Sequence, residues 1–174
     1  MPPFSIRVFG DPVLRQRAKE VTELDGSLAT LVDGMVETMY AAPGAGLAAP
    51  QVGVQKRLFV YDIGDGPVTM VNPEIVATDG EWTYDEGCLS VPGLYFPITR
   101  PNRVTIRGLD LDGHEIVFEG EELLGRVFLH EMDHLDGVLL LERLEPDVRK
   151  QAMRTLRDQA LTGRPVARDP SHRL

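Results

Sequence analysis

Apolar positions in residues 28–40 recur at Leu28, Leu31, Val32, Met35, Val36 and Met39. That three- and four-residue spacing predicts an amphipathic helix with one face on a core. A loop punctuated by glycine and proline follows, Ala42-Pro43-Gly44-Ala45-Gly46-Leu47-Ala48-Ala49-Pro50-Gln51. Strand-like runs come next, at Arg57–Asp62, at Val68–Val76 and around Trp82–Tyr84; Arg103–Leu109 and Glu115–Phe118 then flank the hairpin signal Asp110-Leu111-Asp112-Gly113. Residues 121–136 return to helical spacing. Leu123, Leu124, Val127, Phe128, Met132 and Leu135 spread around much of that helix, which predicts a place deep in the core. Glu121 and Glu122 in its expected first turn suit the positive end of the helix dipole, and Gly137 suits the position just past its end. Val138–Leu141 is expected as a short strand, and Pro146 opens a last helix to about Leu161. Strands grouped before a central helix, without regular strand–helix alternation, predict an α+β fold. Its strands are mostly antiparallel and pack around the central helix, with a further helix at the C-terminus.

Composition narrows the class. A chain of 174 residues, 43% apolar and 26% charged, is sized for one domain, 1–174, in which 146–174 form the C-terminal helix and tail. It shows no internal repeat and no dividing linker. No apolar run approaches the roughly 18 residues that span a bilayer, and Met1–Arg7 lack the apolar stretch of a secretory signal. The single cysteine, Cys88, excludes an internal disulfide. A cytoplasmic protein without a membrane partner is expected. The net charge of −9 argues against binding free nucleic acid. Residues 1–144 carry 11 basic and 23 acidic side chains, whereas 145–174 carry 7 and 4. A solvated helix with a frayed end accounts for such a basic tail; docking on an anionic partner is the sharper alternative.

The chemistry gathers in His130-Glu131-Met132-Asp133-His134. Positions i and i+4 share a helix face, so both imidazoles can bind one cation, and Glu131 stands beside them within reach of a water. The competing reading is two core histidines with a surface acid between them. An open tetrahedral site needs a third protein ligand. Asp136, Glu142, Glu145 and His172 lie downstream; upstream, Glu86-Gly87-Cys88-Leu89-Ser90 holds the one thiol.

Three segments in this order resemble the peptide deformylase family: Gly44-Ala45-Gly46-Leu47-Ala48-Ala49-Pro50-Gln51, Glu86-Gly87-Cys88-Leu89-Ser90, and His130-Glu131-Met132-Asp133-His134-Leu135-Asp136-Gly137. The resemblance runs from Ile6 to about Leu144. It implies that Cys88, His130 and His134 ligate one divalent metal, ferrous iron in the family's usual state; Zn2+, Ni2+ or Co2+ are the alternatives. It further implies Glu131 as general acid/base, with the Gln51 amide and the Leu89 N–H as oxyanion donors. Gly44, Ala45, Gly46, Glu86, Leu123 and Val127 are then the substrate-binding residues, with Ala45, Leu123 and Val127 forming a methionine pocket. The implied substrate is an N-formyl-methionyl nascent peptide, and the C-terminal helix becomes a candidate for docking on the ribosome.

Three positions depart from the family pattern. Leu129 stands where glutamine is common, Ala45 where a bulkier aliphatic residue is usual, and Tyr95 in the region where some relatives carry a substrate-binding arginine. A zinc endopeptidase, a Cys–His hydrolase and a non-catalytic binder are the competing classes. Intact Glu131 and Gln51 argue against the binder, which needs neither a proton shuttle nor an oxyanion donor.

Overall fold

The computed structural model describes residues 4–163 and residue 174. Helix α1 (Gly26–Ala41) starts where the Asp25 carboxylate accepts hydrogen bonds from the backbone N–H groups of Ser27 and Leu28, at 3.0 and 3.1 Å. Its buried Leu28, Val32, Met35 and Met39 pack in one cluster with Leu58 and Val60. The predicted helix therefore forms, with its apolar face inward.

Seven strands follow: β1 (Gly46–Ala48), β2 (Leu58–Tyr61), β3 (Val68–Asp79), β4 (Trp82–Cys88), β5 (Val91–Arg100), β6 (Arg103–Leu109) and β7 (Glu115–Gly120). Five make one sheet in the order β1-β2-β3-β6-β7, while β4 and β5 pair as a separate hairpin; the pairings among these seven strands are antiparallel. The expected turn at Asp110–Gly113 joins β6 to β7. Two strands escaped the sequence pattern. β1 is three residues inside the glycine-proline loop, and β5 carries Pro92, Gly93 and Pro97. Proline cannot donate to a ladder, but a strand with a neighbour on one side only tolerates it.

Helix α2 (Leu123–Leu135) crosses a second core cluster, where Val127, Phe128 and Leu135 pack with Phe59, Tyr61 and Ile106. It begins later than the sequence pattern predicts. Glu122 has a φ of 52°, outside the helical region, so Glu121 and Glu122 precede the first turn rather than complement its dipole. The Glu122 N–H instead bonds to Asn102 Oδ1 at 3.1 Å. At the other end Gly137 (φ 74°) closes the helix as expected. Any Cβ there would sit 2.8 Å from the backbone of Arg15.

Val138–Leu141 is not a strand. The Val138 N–H bonds back to the Asp133 carbonyl, and Leu140–Arg143 wind into a 3-10 turn. Leu139, Leu140 and Leu141 are all buried, so full burial rather than pairing explains the continuous apolar run. Helix α3 (Pro146–Thr162) starts at Pro146 as expected and buries Ala152 and Leu156. The tail at 164–173, including His172, lies outside the described residues. Among the described residues no helix is long and apolar enough to cross a membrane.

Candidate active site

Helix α2 delivers His130 and His134 on one face, and the end of β4 delivers Cys88 to meet them. The three side chains are buried, and their ligand atoms all lie within 4.8 Å of one another. Cys88 Sγ stands 3.2 Å from His134 Nε2. His130 Nδ1 is engaged by Glu86 Oε1 at 2.7 Å, which leaves its Nε2 as the nitrogen free for a cation. Burial resists charge on the Cys88 thiol, but the facing imidazoles of His134 and His130 outweigh it and hold the thiol well below its ordinary value. Burial likewise pushes His130 down, and the Cys88 sulfur and the Glu86 carboxylate reverse that, raising it. A thiolate beside two imidazoles is a donor set suited to zinc or ferrous iron.

Glu131 lies beside this group and is 1% exposed, with its Oε2 lacking any hydrogen-bond partner. A buried, unpaired carboxylate oxygen next to three metal-type donors fits a site that carries an ion and a water. Burial raises the Glu131 pKa to about 7, against the opposing pull of His130 and His134. Such a carboxyl can accept and return a proton near neutral pH. β1 holds it closely: a Cβ on Gly46 would lie 2.5 Å from Glu131 Oε1, so only glycine lets the strand pass there.

Gln51 ends the same segment inside a 3-10 turn at Ala49–Val52. Its Oε1 accepts from the Ala48 N–H at 2.9 Å, which turns Nε2 toward Ser90 Oγ (3.1 Å) and Cys88 Sγ (3.9 Å). Leu89 sits in the turn after Cys88, and Gly44 packs against it. The sequence-predicted Gly44, Ala45, Gly46, Gln51, Cys88, Leu89, His130 and Glu131 thus border one small cavity. Ala45 and Val127 belong to the apolar cluster beside it, and Leu123 packs against that cluster half-buried. A far larger cavity, of about 930 Å3, lies away from these residues, near Arg17, Arg57 and Arg143.

Glu86 has a different setting from the one its substrate-binding expectation implies. It is fully buried, and its two oxygens serve Arg100 (2.7 and 3.1 Å), Arg126 (2.9 Å) and His130. Burial pushes its pKa up, but the hydrogen bond and charge of His130, with Arg100 and Arg126, hold it down at about 2. Arg100 also reaches Asp133 at 2.7 Å, tying β5 to α2. Neither arginine stands out from motif spacing. The one hint the sequence holds for Arg126 is its place four residues before His130 among Leu123, Leu124, Val127 and Phe128; the structure buries it to 1% exposure. It also donates to the carbonyls of Ile98 and Trp82.

Comparison with known proteins follows the same lines. The sequence profile of the polypeptide deformylase family matches residues 3–150. A peptide deformylase of Agathobacter rectalis is 57% identical over 141 residues, covering 81% of this chain and 89% of the relative. That of Acidothermus cellulolyticus is 49% identical over 162 residues, 92% of this chain and 89% of the relative. Among solved structures, a peptide deformylase from Legionella pneumophila superposes with a TM-score of 0.88 at 43% identity, covering 93% of this chain and 98% of its own. The Ehrlichia chaffeensis enzyme in complex with actinonin gives 0.88 at 37% identity, over 91% and 98%.

Proposed function

The chain belongs to the polypeptide deformylase family, and from that premise we propose that its site removes the formyl group from N-formyl-methionyl nascent peptides, releasing formate. The observation that carries this reading is the convergence of Cys88, His130 and His134 with Glu131 and Gln51 on one buried point.

Cys88 Sγ and the two imidazoles would hold one divalent ion, ferrous iron by the family's habit, which supplies the Lewis acidity that makes water a nucleophile at neutral pH. Glu131 accepts the proton of the attacking water. The water oxygen bonds to the formyl carbon, and the Gln51 amide and the Leu89 N–H donate to the formyl oxygen as it gains charge. Glu131 then passes its proton to the departing nitrogen as the C–N bond breaks, leaving formate and a free amine. Glu86, held charged by Arg100 and Arg126, fixes the ring of His130. The edge of β1 left without a strand partner among the described residues, together with Gly44 and Ala45 just before it, receives the extended peptide, and Ala45, Leu123 and Val127 receive the methionine side chain.

The whole of 1–174 serves as one catalytic domain acting in the cytoplasm, where formylated chains emerge. Helix α3 docks on the ribosome: Lys150, Arg154 and Arg157 are exposed at helical spacing, a basic face suited to RNA phosphates. Reversing these three charges weakens salt-sensitive ribosome binding and spares tripeptide hydrolysis; unchanged ribosome affinity removes this role. The central test is formate release from formyl-Met-Ala-Ser by protein loaded anaerobically with Fe2+ or Ni2+. No formate from the loaded protein discards the assignment.

A further inference from the structure

We infer that Leu174 of this chain occupies the pocket meant for the substrate's first side chain and competes there with the formylated peptide. The inference rests on the deformylase reading for the role of the pocket and the identity of the competitor; the burial of Leu174 and its contact with β4 stand without it.

Leu174 is the one large aliphatic residue after Val166, in a run that otherwise reads Ala-Arg-Asp-Pro-Ser-His-Arg. Such a residue is ordinarily exposed when its neighbours are polar. Here it is 5% exposed and packs in the cluster that contains Ala45 and Val127, against which Leu123 also rests. These are the three residues expected to take methionine, whose side chain is close to leucine in volume and polarity. Leu174 also borders the small cavity shared by Cys88, His130 and Glu131, of which only about 10 Å3 remains open.

The backbone matches the side chain. A main-chain oxygen of Leu174 lies 2.7 Å from where a Cβ on Gly87 would stand, so the residue rests directly on β4 one position before Cys88. Glycine at 87 is what admits it. A leucine held by both its side chain and its main chain, beside the Cys–His–His group, imitates a bound substrate residue. An intramolecular occupant divides the protein between closed and open forms, and substrate binds only the open fraction. The apparent KM rises by the inverse of that fraction, while kcat at saturation is untouched.

Kinetics of the metal-loaded 1–174 chain on formyl-Met-Ala-Ser test this. Leu174→Asp places a charge in an apolar pocket and empties it, so KM falls roughly fivefold or more with kcat unchanged. Leu174→Met keeps the parent KM. An unchanged KM in Leu174→Asp overturns the inference, and a KM that varies with protein concentration overturns its intramolecular form. A second measurement needs no turnover: the 13C-methyl resonances of Leu174, assigned by their loss in the Asp variant, lie at buried positions and move to exposed-chain positions when Met-Ala-Ser is added. Exposed positions without peptide overturn the inference. If neither protein releases formate, the deformylase reading falls, and the methyl spectra still decide the occupancy.

Discussion

Glu86 and His130 are joined through Nδ1 at 2.7 Å, and that single bond sets which nitrogen of the ring faces Cys88 and His134. The carboxylate is in turn gripped by two buried arginines, Arg100 and Arg126. The ring orientation thus depends on a charge cluster behind it as well as on the helix that carries it.

Removing Arg126 leaves the buried Glu86 charge with Arg100 and His130 alone to oppose it. Arg126→Met should lower stability by about 3–5 kcal/mol, a fall in Tm of roughly 6–20 °C. Calorimetry of the metal-loaded protein measures it. A Tm within a degree of the parent would show that Arg100 suffices alone.

Acid should loosen the same cluster. Glu86 sits at about 2 in the folded protein against its ordinary 4.5, so its contribution to stability is present above about 4.5. That contribution is lost as pH falls from there toward 2. Denaturant melts between pH 6 and pH 3 should show falling stability, with a shallower fall in Glu86→Gln.

The histidine pair, Glu131 and the helix that bears them were legible from spacing alone, because i and i+4 share a face whatever the tertiary context. Cys88 is not: spacing leaves Asp136, Glu142 and Glu145 open as third ligands beside the thiol, and the family resemblance selects Cys88. Long-range pairing of β4 with α2 decides that contact, and no local pattern encodes it. Arg126 was missed because an arginine in an apolar helix reads as a surface interruption until its partner on another element is known. β5 was hidden by its prolines, and Val138–Leu141 passed for a strand because a buried 3-10 turn can be equally apolar.

Glu131→Gln keeps the shape of the site and removes the proton carrier. Metal content should match the parent, and formate release should fall by about 10^2–10^4. Full activity in this variant would sink the role given to Glu131.

Gly46→Ala should fold, because β1 remains paired with β2, yet its Cβ would meet Glu131 Oε1 at 2.5 Å. Displacing that carboxylate should cost roughly 10-fold or more in kcat/KM. The melting temperature separates this from a general loss of structure, since a steep fall in Tm would assign the effect to the strand.

Cys88→Ala should lose bound metal to a chelator that leaves the parent loaded, and activity should go with it, as two imidazoles alone make a weaker site. Metal analysis after dialysis reads the outcome. Retention of a full equivalent would point to a downstream carboxylate as the third ligand.

β1 ends the five-stranded sheet, with β2 as its only ladder partner among the described residues. A guest that lines up along such a border is gripped by amide groups common to every polypeptide. On the proposed function, the residues after the first therefore meet the protein as bare main chain, and their side chains weigh little in what that border holds.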